Sequence, residues 1–315
     1  MRTPLACILL LAACGDNGKA AVDASVALDA AADSAVADAP LDAPDPRGPR
    51  TVSLTGPANS LFWDTAASTL YLTDTATHSI IKYTDANAVQ NVGALITGTA
   101  MISYGDMIKQ GGGTILVTNF GFATEGNIYS LTMAGVAGSF TGLDVTRRRI
   151  GLSKDTNGLI YDGYFTGGGG QPQVGGVALV TLAQGVATET EIAGTTQGLK
   201  KVVGIVATPT AVFVSDQTQK KIFKIAIPGN AFSEVTTTAL PEVDLLAMLP
   251  NGDLLTGGGT TVRRITQAGV VSDVFTGFEQ VHGLAYDPTL KRLFIMDHSI
   301  TVGVSDKLHI RPLDN

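Results

Sequence analysis

Four residues stand where chemistry could be done: Asn59, Asp106, Asp244 and His282. Each stands at the opening of a short apolar run. The clearest runs are Ser60-Leu61-Phe62-Trp63 after Asn59 and Gly283-Leu284-Ala285-Tyr286 after His282. Two carboxylates, an amide and an imidazole form a donor set that could hold one divalent cation (Ca, Mn, Zn or Mg) or orient a polar ligand. The same groups could instead satisfy one another and hold channel water. For hydrolysis the candidates are Asp106, Asp244 and His282. The remaining histidines are weak signals, with His78 and His298 in turns and His309 on the last strand. The chain has no His-Glu-x-x-His helix and no Gly-x-Ser-x-Gly elbow. Gly167-Gly168-Gly169-Gly170 lacks the Gly-Lys-Ser/Thr of a phosphate loop, so a mobile hairpin loop is expected there.

The four candidates can meet only if the apolar runs belong to one ring. A phrase recurring roughly every 40 residues supports this. Its best copies are Leu70-Tyr71-Leu72-Thr73-Asp74, Ile115-Leu116-Val117-Thr118-Asn119, Val212-Phe213-Val214-Ser215-Asp216 and Leu293-Phe294-Ile295-Met296-Asp297. Short strands at that period predict an all-β fold, a six-bladed β-propeller. The predicted blades are 59–95, 105–143, 150–196, 203–240, 244–278 and 282–313. Asn157-Gly158 and Asn251-Gly252 mark hairpin turns, because both residue types tolerate positive φ. Blade six runs out of chain after three strands. Thr51-Val52-Ser53-Leu54-Thr55-Gly56 reads like the fourth strand of blade five, so the start of the domain is expected to close the ring by pairing into blade six. Closure removes exposed strand edges.

The repeats resemble the six-bladed NHL and regucalcin/gluconolactonase-like propellers from about Asn59 to Asn315. The carriers are Tyr71-Leu72-Thr73-Asp74-Thr75 with Ile80, Phe213-Val214-Ser215-Asp216 with Ile222, and His282-Gly283-Leu284-Ala285-Tyr286-Asp287. The resemblance implies structural roles for Asp74, Asp216 and Asp297, whose carboxylates can accept amides of the next turn. It also implies a single central cation held by a Glu, two Asn and an Asp on inner strands. Asp244 falls at the family Asp. Asn59 stands in place of the Glu, and Ile150-Gly151 and Val203-Gly204 stand where the two Asn would be.

Ahead of the repeats lie two different segments. Arg2, the apolar run from Leu5 to Ala13, and Leu11-Ala12-Ala13-Cys14 resemble the lipobox signal of bacterial lipoproteins. That implies a signal peptide over 1–13, cleavage before Cys14 and lipidation of Cys14, a stable membrane anchor. The only other cysteine, Cys7, would leave with the signal, so no disulfide is expected. Residues 14–50 are rich in Ala, Asp and Pro and have almost no large apolar side chain. They cannot offset the entropy of ordering, and a disordered tether is expected. The propeller is assigned to 51–315.

The net charge of −7 opposes binding to nucleic acid. Arg147-Arg148-Arg149 and Lys200-Lys201 are the short basic clusters, and both are expected to be solvated loops. The incomplete family ligand set favours a lipid-anchored, extracytoplasmic binding module, a monomer in the cell envelope, with an envelope protein, peptide or glycan as ligand. The alternative is a metal-dependent lactonase or esterase-like hydrolase with a rearranged central site.

Overall fold

The structure, a computed structural model, describes residues 48–85, 89–95, 103–121 and 126–314. The signal peptide, Cys14 and the tether up to residue 47 lie outside the described residues. Six four-stranded sheets form the blades of a β-propeller. The expected ring closure is present. Arg50–Ser53 pairs antiparallel with Lys307–Pro312, placing Arg50 opposite Ile310 and Ser53 opposite Lys307. Leu54 follows into the core at 3% exposure.

The core lies between the blades. Successive residues of a strand point to opposite faces of its sheet. In Lys221–Ala226, Ile222 therefore packs towards blade five, while Phe223 and Ile225 pack towards blade three. Repeated around the ring, this alternation gives one apolar cluster at each blade-to-blade contact, including the contact of blade six with blade one. Burial of this kind stabilises by about 25 cal/mol per Å² of apolar surface.

Two repeated devices set the inner strands. The first is a small residue one step into five of the six strands, Leu245 being the exception. A Cβ on Gly105 would lie 2.3 Å from the Ile150 carbonyl oxygen, and one on Gly204 would lie 2.8 Å from that of Asp244. Glycine lets adjacent inner strands approach there. The second is a hydroxyl near the end of the second strand, in the Thr-Asp, Thr-Asn and Ser-Asp pairs of blades one, two and four and in Thr256 of blade five. Thr73 Oγ1 accepts the amides of Asn59 and Ser60 at 3.1 and 3.2 Å. Thr118 donates to the Ile150 carbonyl at 2.8 Å, and Ser215 to the Asp244 carbonyl at 2.7 Å. These bonds fix where those inner strands begin.

Aspartates that end second strands hold turns and entries. Asp74 accepts the amides of Ala76 and Thr77 at 2.9 and 3.3 Å. Asp216 accepts those of Gln219 and Lys200 at 3.0 and 2.7 Å. Asp297 accepts those of Glu279 and Gln280 at 2.8 and 2.9 Å and contacts His309 Nε2 at 3.1 Å.

Blade three departs from the expectation for its basic cluster. Arg149 is not solvated: it lies in the strand Arg148–Lys154 with its side chain fully buried, ion-paired with Asp162 and, at 2.6 Å, with Glu189. A run of three arginines reads as surface in sequence, but strand alternation turns the third inward, where acids from the neighbouring strands neutralise it. Gly167–Gly170 caps the long hairpin of Ile160–Gly168 and Gln171–Ala183, each glycine at positive φ. None of the four lines either end of the channel.

Candidate functional site at the channel mouth

The six inner strands run the same way along the axis, so equivalent positions form layers. The first layer is Asn59, Tyr104, Ile150, Val203, Asp244 and His282, and all six line a pocket of about 270 Å³ at one end of the channel. Two steps along, Leu61, Asp106, Leu152, Ile205, Leu246 and Leu284 line a cavity of about 490 Å³ that opens at the other end. The structure thus brings Asn59, Asp244 and His282 together and places Asp106 elsewhere. The sequence reading took Asp106 as the opening of blade two, but Tyr104 holds that place. The inner strands of blades two, three, four and six all carry a bulge near their start, and Asp106 stands two residues beyond Tyr104, in the second layer.

At the mouth, Asn59 Nδ2 donates to the Tyr104 carbonyl at 3.1 Å. Asp244 accepts the Leu245 amide at 3.0 Å. Burial raises its carboxyl above the usual carboxylate range, against the opposing pull of His282 and Lys201. His282 Nε2 is buried and has no hydrogen-bond partner among the described residues. Its ring centroid lies 5.0 Å from that of His298. His298 contacts Asp306 at 3.0 Å, and that carboxylate raises the pKa of the imidazole.

Lys201 and Gln217 complete the polar wall and Phe120 adds an apolar one. Lys201 corrects the solvated-loop expectation: it lines the pocket and stands 5.5 Å from the Phe165 ring centroid. Sequence reasoning missed Tyr104, Gln217 and Phe120. The signal that could have found Gln217 and Phe120 is their position directly after Asp216 and Asn119, where each second strand arrives at the mouth.

Asp106 is nearly enclosed. It accepts the Ser60 hydroxyl at 2.8 Å and the Met107 amide at 2.9 Å. Burial pushes its carboxyl up to about 7, although bonds from Ser60, Met107 and Leu152 favour the charged form. With Asp106 committed in the second layer, the mouth keeps one carboxylate and one imidazole from the expected set. No group of three His, Cys, Asp or Glu side chains that could hold a metal ion occurs among the described residues. A hard cation needs several charged or carbonyl oxygens, and the donors at the mouth do not fit one.

No protein-family model matches the chain, and no curated protein matches it in sequence. Solved structures do match. A gluconolactonase from Xanthomonas campestris superposes with a TM-score of 0.64 at 14% identity, covering 84% of this chain and 90% of that one. A calcium-binding protein, regucalcin, from Agrobacterium tumefaciens gives 0.62 at 14% identity, covering 82% and 93%. A catalytically inactive histidine-to-alanine virginiamycin B lyase from Staphylococcus aureus, solved with quinupristin, gives 0.56 at 14% identity, covering 83% and 98%. At such identities the likeness concerns the fold alone, and the chain is a six-bladed β-propeller of the gluconolactonase and regucalcin-like architecture.

Proposed function

We propose that this protein is a binding propeller whose mouth pocket takes one small polar molecule, held by His282, Asp244 and Asn59, with Lys201 and Gln217 beside them. One observation carries the reading: His282 Nε2 is buried without a partner among the described residues, in a pocket that Asn59, Lys201, Gln217 and Asp244 also line. Buried polar atoms are almost always paired, and an unpaired one costs about 1–3 kcal/mol. A bound molecule or an ordered water would remove that cost. The pocket's size, about 270 Å³, suits a compact ligand such as a monosaccharide, a sugar acid or a short peptide end.

The anchor belongs to the same proposal. The N-terminal strand begins at Arg50, opposite Ile310 and beside the far ends of the inner strands. A tether from a lipidated Cys14 would therefore join the domain at the end opposite the mouth. That arrangement suits an extracytoplasmic protein of the cell envelope that presents its pocket outwards.

A second reading has its own support. Asp244 and His282 act on each other electrostatically in one pocket, and the fold is shared with a gluconolactonase and a lyase. The pair could then serve as acid and base in opening a lactone or ester. The two readings separate in one experiment on the full chain, with gluconate and glucono-1,5-lactone as probes. Binding predicts a rise in melting temperature with either probe, no lactone turnover above the uncatalysed rate, and loss of the rise in His282→Ala. Turnover abolished by Asp244→Asn would establish the hydrolase. A melting shift unchanged in both variants would remove the mouth pocket from the function.

A further inference from the structure

The larger cavity, at the opposite end of the channel, has no part in the proposed function. Its inner layer is aliphatic at five of six positions, and Asp106 is the exception. Phe62, Trp63 and Tyr286 add aromatic wall as the channel widens. Its charged groups are unevenly placed. The Lys109 ammonium pairs with Asp64, so these two cancel. Among the described residues the Lys154 ammonium bonds only the backbone carbonyl of Lys109, which leaves one cation there without a carboxylate. Asp106 lies deep in the layer, while Asp64, Lys109 and Lys154 lie where the inner strands end.

This distribution selects a ligand by its charge and its polarity together. An apolar body is favoured inside by the aliphatic layer and the aromatic wall. A single negative charge is favoured at the rim, where Lys154 has capacity to spare. Asp106 disfavours a negative charge at depth, which sets the orientation: apolar end inwards, charged end at the rim. A cationic ligand would meet the two lysines first, and a neutral one would leave Lys154 as it is. We infer that this cavity is a second ligand site, for an amphipathic monoanion whose carboxylate pairs with Lys154 and whose apolar body fills the channel beneath.

Trp63 lines this cavity and is the only tryptophan of the chain, so its fluorescence reports occupancy directly. The full chain would be titrated with octanoate, 1-octanol and octylamine, all below their micellar concentrations. The expected result is a saturable change of Trp63 emission with octanoate, about tenfold weaker binding of octanol, and weaker binding still of octylamine. Lys154→Gln should reduce octanoate affinity about tenfold and leave octanol unchanged, and Lys154→Arg should restore octanoate. His282→Ala, at the mouth, should change neither. An absence of saturable change with octanoate would overturn the site. Equal affinity for the three probes, or octanoate binding indifferent to Lys154→Gln, would overturn the anionic ligand.

Discussion

The two ends of the channel are built from the same six strands, two residues apart, yet they differ in kind. The second layer holds Leu61, Leu152, Ile205, Leu246 and Leu284 with Asp106. The first holds an amide, a phenol, two aliphatics, a carboxylate and an imidazole. Belt residues also belong to the clusters between blades: Leu61, Leu152, Ile205, Leu246 and Leu284 each pack in a different one. Their type is dictated by the fold. The mouth residues stand two positions earlier, where the chain enters from loops, and hydroxyls of the second strands hold the backbone at Asn59 and Asp244. Of the six only Tyr104 belongs to a cluster between blades, so most of the mouth can vary without loss of core.

Substitutions at the two layers should therefore differ in cost. Leu246→Asp puts an unpaired carboxylate into the belt and is expected to cost more than about 4 kcal/mol. Asn59→Ala at the mouth, which gives up one bond to the Tyr104 carbonyl, should cost only about 1 kcal/mol. Denaturant unfolding of the two variants would break the comparison if their costs were equal.

Asp106 sharpens it, because it is the one acid in the structural layer. Its folded pKa, about 7, lies above the unfolded value of about 3.9. Between those pH values the native state holds a proton that the unfolded chain has released. Wild-type stability should then fall as pH rises from about 4 to about 7, and level off above. Asp106→Asn lacks that titration. The variant should gain on the wild type between pH 4 and pH 8, by at most on the order of 4 kcal/mol. A stability difference that does not change with pH would show that Asp106 is ionised throughout.

The smallest effect is expected at His282. Its Nε2 has no protein partner to lose, so His282→Ala should change stability by less than about 1 kcal/mol, in either direction. A loss of about 3 kcal/mol or more would mean that the imidazole is a core residue and that the two layers are alike.

Much of the scaffold was legible in the sequence. The Thr-Asp and Ser-Asp endings marked the second strands, because the hydroxyl of each pair bonds the inner strand and the carboxylate holds the next turn. The likeness of residues 51–56 to 272–277 gave the closure, because both must serve as an outer strand. The site was only partly legible. Asn59, Asp244 and His282 were found because blade openings are periodic. Asp106 was misplaced because the nearest polar residue was taken for the blade opening, which Tyr104 holds. Arg149 and Lys201 were misjudged because a basic run has no intrinsic side; the strand beneath decides which residue turns inward.

The central claim is that the mouth, through His282 and Asp244, is where this protein meets its ligand. The most direct test is to pass a mixture of small polar metabolites over the immobilised full chain and identify what is retained by mass spectrometry. Wild type, His282→Ala, Asp244→Asn and Lys154→Gln would be run side by side. The expected result is at least one polar compound retained by wild type and Lys154→Gln and lost from both mouth variants. Retention of the same compounds by all four, or of none by wild type, would contradict the claim.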